Sequence, residues 1–172
     1  MGKNIALIGF MGTGKSEIGR RLSDRLGKTF LEMDDLIVEK AGKSITEIFE
    51  EDGEEAFRRL EREVTGEVSA REDVVIACGG GVVLDEINVE NLRKSTVLLL
   101  LSASPEIILN RVSKDGETRP LLNVQDKMER IRGLLEFRQP FYLRAADHVI
   151  DTSDLEPDQV VDEIMEFVKG EV

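Results

Sequence analysis

Residues 9–16 read Gly-Phe-Met-Gly-Thr-Gly-Lys-Ser, which matches G-x-x-x-x-G-K-[ST]. No other stretch constrains the fold so tightly. Its glycines let the backbone curl until successive N–H groups point inward, and the curl must end on the positive end of a helix to hold an anion there. The flanks meet that requirement. Asn4–Gly9 is an apolar run of strand character, and Lys15–Leu26 has the apolar spacing of an amphipathic helix. In such a loop the backbone of Gly12, Thr13 and Gly14 cradles the phosphates of a nucleotide, Lys15 reaches the β- and γ-phosphates, and the Ser16 hydroxyl ligates Mg2+. Glu17, in the first helical turn beside the loop, is grouped with the nucleotide contacts.

The rest of the chain repeats the strand–helix pattern. Thr29–Met33, Val74–Cys78, Thr96–Leu101 and His148–Asp151 read as further strands, brief and almost continuously apolar, as strands covered on both faces are. Helical spacing marks Asp34–Ala41, Ile45–Glu51, Glu54–Arg71, Asn88–Arg93, Pro105–Ser113, Val124–Ala145 and Pro157–Lys169. Strict alternation of strand and helix predicts an α/β fold, one domain over 1–172, with a parallel sheet between two helical layers. Two stretches break the rhythm. Residues 34–62 pack more helices between two strands than one crossover needs, and 113–124 is polar, with Gly116 and Pro120. In a phosphotransferase the first is expected to be a substrate-binding insert and the second a lid.

Composition narrows the partners. Apolar residues make up 41% and charged residues 34%, a globular balance, and no apolar run approaches the length of a membrane span. The formal charge of −12 argues against nucleic acid, and it obliges an anion-binding protein to gather its cations in one cleft. The N-terminal apolar run leads into the glycine loop without a signal-peptide cleavage site, and Ala6 stands where a myristoylation signal needs Ser or Thr. A cytoplasmic monomer is expected. Cys78 and His148 are each the single residue of their kind, and both read as structural.

The loop binds a nucleotide without naming the acceptor. A guanine-specificity Asn-Lys-x-Asp is missing, which points away from GTPases. Asp34 falls just past the second strand, at the carboxyl edge where open α/β sheets bind ligands. A carboxylate there either accepts a hydrogen bond from an attacking hydroxyl or N-caps the next helix. Arg58 and Arg59 have i,i+4 partners in Glu54, Glu55 and Glu63, so a solvated ion-pair face competes with any binding role. Gly79-Gly80-Gly81 either lets a ring approach the backbone or forms a tight turn.

Several segments fall into one ordered set. Gly9–Ser16, Phe30-Leu31-Glu32-Met33-Asp34, Phe57-Arg58-Arg59-Leu60-Glu61, Gly79-Gly80-Gly81, Arg119-Pro120-Leu121-Leu122, Arg138-Gln139-Pro140-Phe141-Tyr142 and Asp151-Thr152 with Pro157 together resemble shikimate kinase over nearly the whole chain. That resemblance implies a P-loop NTPase type of fold, a three-layer α/β/α sandwich on a five-stranded parallel sheet in the order 2-3-1-4-5. It implies ATP and Mg2+ as cofactors, and transfer of phosphate to the 3-hydroxyl of shikimate on the path to aromatic amino acids. Carried over by position, Lys15, Asp34 and Arg119 are the catalytic residues, with Arg119 closing over the phosphoryl group from the lid. Asp34, Arg58, Gly79, Gly80, Gly81 and Arg138 hold shikimate, the two arginines gripping its carboxylate. Arg111 and Ser153 border the adenine, and Ser16 and Glu32 serve the metal. Arg144 matches no motif position and is read as structural.

The chain departs from the family at three places. Glu32 stands where Asp is usual, Glu17 where a second small hydroxyl residue is common, and Ile76-Ala77-Cys78 where a hydroxyl residue often occurs. A kinase of another small acceptor, such as gluconate or a nucleoside monophosphate, and a silent ATP-binding regulator are the alternatives.

Overall fold

The computed structural model describes residues 3–116 and 119–170. Five parallel strands, β1 (Asn4–Ile8), β2 (Thr29–Glu32), β3 (Val74–Ala77), β4 (Thr96–Ser102) and β5 (His148–Asp151), lie side by side in the order β2-β3-β1-β4-β5. Among the described residues the helices are α1 (Lys15–Leu26), α2 (Met33–Ala41), α3 (Ile45–Glu51), α4 (Glu54–Ser69), α5 (Glu86–Arg93), α6 (Pro105–Lys114), α7 (Lys127–Ala145) and α8 (Pro157–Gly170). Each strand runs the same way as its neighbour: Ile5 of β1 is in register with Val75 of β3 and with Val97 of β4.

Alternation along the strands divides the core in two. Ile5 and Leu7 of β1, with Val75, Val97 and Leu99, face α1 and α8 through Ile18, Leu22, Val160, Val161 and Ile164. Ala6 and Ile8, with Ile76, Leu98 and Leu100, face the other layer, where α2 to α7 contribute Ile37, Ile48, Phe57, Leu92, Ile108 and Tyr142. Every residue of β1 and β3 is buried, as the unbroken apolar runs require of central strands.

Helix ends follow capping chemistry more closely than apolar spacing. Helix α7 starts at Lys127 rather than Val124, because the Asp126 side chain accepts from Glu129 N at 3.0 Å. Asp85 likewise accepts from Ile87 N at 3.0 Å, so α5 opens at Glu86 rather than Asn88. Helix α4 stops at Ser69, short of the expected Arg71. Two 3-10 turns, Val82–Leu84 and Pro120–Leu122, have no counterpart in the periodicity. Residues 117 and 118, inside the expected lid, lie outside the described residues. No helix among the described residues is long and apolar enough to cross a membrane.

Helix α1 lies so close to the sheet that its contact residue cannot carry a side chain. A Cβ on Gly19 would come within 2.5 Å of Phe30 Cε2, and within 3.5 Å of Leu7 Cδ1. Gly19→Ala is therefore expected to destabilise the fold by about 1–3 kcal/mol through overpacking, despite alanine's better helix propensity. Denaturant unfolding measures it, and an unchanged or raised midpoint would mean that Phe30 swings aside freely.

Candidate active site

The carboxyl ends of β1, β2 and β3 open into a cleft of about 1310 Å³, and every site residue singled out from the sequence lines it. Its floor is the phosphate loop. Gly9 has φ 143°, and a Cβ there would sit 2.2 Å from the Leu101 carbonyl oxygen, so only glycine lets the loop leave β1 beside β4. Gly14, at φ 99°, is the left-handed residue from which α1 begins. The Thr13 side chain turns inward and donates to Phe10 O at 2.8 Å, leaving its backbone as the part offered to a ligand.

Lys15 lies across this loop, its Nζ donating to the carbonyls of Gly9 at 2.7 Å and Phe10 at 2.9 Å. Part of the side chain borders the cleft, yet protein surrounds the ammonium. That desolvation pulls its pKa from 10.5 down to about 8, with Arg119 adding to the fall and Asp34 and Glu32 opposing it. Ser16 donates its hydroxyl to the Glu32 carboxylate. Burial pushes the Glu32 pKa up; the Ser16 hydrogen bond opposes the rise and the nearby Asp34 charge adds to it. Two hard oxygen ligands thus meet beside the lysine, a set that suits Mg2+.

Asp34 is not the N-cap of α2. The helix begins one residue earlier, at Met33, with Glu32 in the cap position, so Asp34 sits in the first turn and lines the cleft. Its carboxylate lies near the glycine triplet: a Cβ on Gly79 would come within 3.5 Å of Asp34 Oδ1 and 2.9 Å of Glu61 Oε2.

The triplet owes its composition to neighbouring side chains. None of its three glycines has a positive φ, so turn conformation does not demand them. A Cβ on Gly81 would come within 2.4 Å of Arg58 Nη1, and one on Gly80 within 3.4 Å of both Arg138 Nη1 and Met11 N. The missing Cβ at Gly81 lets the Arg58 guanidinium close against the backbone, and the one missing at Gly79 makes room for the Glu61 carboxylate, whereas a Cβ at Gly80 would meet only ordinary contacts. Arg58 is both an ion-pair residue and a cleft residue, bonded to Glu54 at 3.3 Å and to Glu61 at 2.9 Å. Arg59 is exposed and forms neither expected pair; Glu63 faces Lys40 at 3.6 Å instead.

Arg138 is 2% exposed, its guanidinium 5.6 Å from the centre of the Phe10 ring. Its Nε has no hydrogen-bond partner among the described residues. Tyr142, one turn on, donates its hydroxyl to Gly80 O. Burial raises the Tyr142 pKa and the adjacent Arg138 charge opposes that rise.

Glu61 was given no role by sequence. It is 1% exposed, between the two arginines, and burial pushes its pKa up while Arg58 holds it down. A signal existed. The buried stripe of α4 runs Phe57, Glu61, Val64, Thr65, Val68, so an acid occupies a core position of an otherwise apolar face.

The remaining cleft residues have local duties. Arg119 pairs with Asp115 at 2.5 Å. Arg111 donates to Gly12 O at 3.2 Å and to Thr152 O at 2.9 Å. Ser153 Oγ accepts from Ser104 N at 2.9 Å, and Glu17 pairs outward with Arg21 at 2.9 Å. Cys78 is buried, its thiol pushed up by desolvation, and His148 stacks on Phe167 away from the cleft. Arg144 packs over Phe141 at 4.9 Å. Cys78 lines the cleft, whereas His148 and Arg144 do not.

Comparisons with known proteins converge on one family. The family model described as "Shikimate kinase" matches residues 11–169. The shikimate kinase of Caldanaerobacter subterraneus subsp. tengcongensis is 48% identical over 163 residues, 95% of this chain and 94% of that one. That of Thermoanaerobacter pseudethanolicus is 43% identical over the same shares. The solved structure of the Acinetobacter baumannii shikimate kinase in complex with shikimate superposes with a TM-score of 0.94, at 35% identity, covering 98% of this chain and 94% of that one.

The Lys15 ammonium sets a pH limit on any phosphate ligand. Below about pH 8 the group is charged; above it the free protein loses the proton that the phosphates need. Nucleotide affinity is therefore expected to fall above about pH 8, and binding at pH 9 to take up a proton. Calorimetry in buffers of different ionisation enthalpy measures that uptake. Zero uptake at pH 9 would mean the lysine stays charged in the free protein.

Proposed function

The chain belongs to the shikimate kinase family, and from that premise we propose that its cleft transfers the terminal phosphoryl group of ATP to the 3-hydroxyl of shikimate, giving shikimate 3-phosphate and ADP. One observation carries the assignment to this cleft. The phosphate loop, the Asp34 carboxylate and the Arg58–Arg138 pair all open into the same cavity.

The nucleotide phosphates lie against the N–H groups of Gly12–Ser16, at the positive end of α1. Lys15 exchanges the carbonyls of Gly9 and Phe10 for phosphate oxygens, which replaces two neutral acceptors by charged ones. Shikimate docks with its carboxylate between Arg58 and Arg138, which Glu61 and Tyr142 hold in place from behind. Its 3-hydroxyl then faces Asp34, which orients the oxygen and accepts its proton as the new O–P bond forms and the bond to the β-phosphate oxygen breaks. Most of the rate comes from alignment and from positive charge at the transferring group, supplied by Lys15 and by Arg119 closing from the lid at 113–124. Ser16 and Glu32 hold the metal; Glu32 keeps the acid charge of the family on a longer arm, which reaches the Ser16 hydroxyl. Mg2+ bound there neutralises charge on the β- and γ-phosphates.

Arg111 and Ser153 border the adenine, and residues 34–62 form the acceptor side. The chain works as a monomer in the cytoplasm: one chain lines the whole cleft, and its charge of −12 disfavours nucleic acid as a partner.

Shikimate-dependent formation of ADP with Mg2+ tests the assignment directly, and equal rates with and without shikimate would sink it. Arg58→Ala is expected to raise the KM for shikimate at least about tenfold, the cost of a lost charged hydrogen bond, while the KM for ATP stays within about twofold. Equal loss for both ligands would make the arginine a folding residue. Lys15→Ala is expected to lower kcat at least about a hundredfold; retained turnover would refute the phosphate-loop assignment.

A further inference from the structure

The carbonyl oxygens of the phosphate loop are shared out among side chains. Lys15 takes those of Gly9 and Phe10, Arg111 Nη1 takes that of Gly12 at 3.2 Å, and the Thr152 hydroxyl lies 3.1 Å from that of Thr13. Peptide planarity gives this distribution a consequence. A carbonyl and the N–H of the following residue point in opposite directions across one rigid plane. Fixing the Gly12 carbonyl outward fixes the Thr13 N–H inward, and fixing the Thr13 carbonyl outward fixes the Gly14 N–H inward. Gly14, at φ 99°, has no side chain to resist a flip of the plane before it.

Thr152 is 2% exposed, and its hydroxyl has one proton for two acceptors at 3.1 Å, Thr13 O and Ser102 O. The Ser102 oxygen already accepts from Thr152 N at 2.8 Å. Thr13 O has the Thr152 hydroxyl as its hydrogen-bond partner among the described residues, so the proton belongs there. In turn the hydroxyl oxygen accepts from Arg111 Nη1 at 3.0 Å, and Arg111 Nη2 donates to Thr152 O at 2.9 Å. Arg111 and Thr152, both bordering the cleft, thus brace two adjacent peptides of the loop through their carbonyls. Thr152 also begins the segment through Pro157 that lines the far end of the cleft.

We propose that Thr152 is a positioning residue for the nucleotide: its hydroxyl holds the Thr13–Gly14 peptide with the N–H turned toward the phosphates, and fastens the segment after β5 to the phosphate loop. The proposal rests on the nucleotide assignment above and goes beyond it. Thr152→Val keeps the side-chain shape and removes the proton, whereas Thr152→Ser keeps the hydroxyl.

Calorimetric titration of the intact protein with Mg·ADP, and separately with shikimate, tests this. Thr152→Val is expected to raise the ADP dissociation constant about tenfold, with shikimate within about twofold, the effect of one buried acceptor losing its donor. Thr152→Ser is expected to restore ADP binding to within about threefold of the unsubstituted protein. Unchanged ADP affinity in Thr152→Val, or ADP and shikimate weakened by the same factor, would overturn the proposal in favour of a folding role. Thr152→Ala repeats the test without β-branched bulk, and failure of both variants to fold would also make the hydroxyl purely structural. Absence of ADP binding in the unsubstituted protein would instead overturn the nucleotide assignment, and this proposal with it.

Discussion

A desolvated ammonium sits at the centre of this molecule, and much of the surrounding chemistry answers to it. Burying a charge is costly unless partners replace the lost water. Lys15 has two backbone carbonyls for partners and the acids Glu32 and Asp34 nearby, yet its pKa still falls to about 8. The two acids that make the lysine tolerable are also the ones suited to hold a metal and to orient a hydroxyl. Their position follows from the topology. Strand β2 ends at Glu32, and α2 begins so abruptly that Asp34 is already in its first turn. A longer loop there would carry the Asp34 carboxylate away from the lysine.

Beside the glycine triplet the same economy appears in reverse, with two guanidinium groups set near one buried acid, Glu61. Arg138 is almost fully enclosed, and Arg58 is pinned by Glu61 in the core stripe of α4. Among the described residues, one Glu61 carboxylate oxygen has no hydrogen-bond partner, and neither has Arg138 Nε. Unsatisfied groups of this kind cost stability, and they persist where the site needs charge more than the fold needs every bond made. The glycine triplet is what allows the arrangement, since any side chain at Gly81 would overlap the Arg58 guanidinium.

The insert between β2 and β3 gives the cleft of a small fold an extra wall. A single crossover helix would serve the sheet; α2, α3 and α4 instead cover one face, with Ile37, Ile48 and Phe57 in the core and Arg58 and Asp34 on the rim. Apolar residues on one side of these helices fix their position, and that fixes the polar residues on the other. The shape of the cleft rim is therefore a by-product of core packing at Phe57 and Ile48.

Much of this was legible in the sequence for a local reason. Apolar runs, capping residues and the glycine–lysine–serine loop are features of contiguous residues, and local geometry follows from them: all five strands and the phosphate loop lie where the spacing puts them. The ordered motifs likewise placed Asp34, Arg58, Arg119 and Arg138 among the site residues, and they line one cleft. What the sequence left open depends on pairs of residues far apart in the chain. Whether Asp34 caps a helix or lines the cleft was decided by where α2 starts against β2. Three adjacent glycines look like a turn until Glu61, Arg138 and Arg58 are packed onto them. Thr152 is one hydroxyl among many until folding brings it, across 139 residues, to the carbonyl of Thr13. Such contacts have no local signature, because a hydrogen bond between distant segments exists only once the layers of the sheet have been packed together.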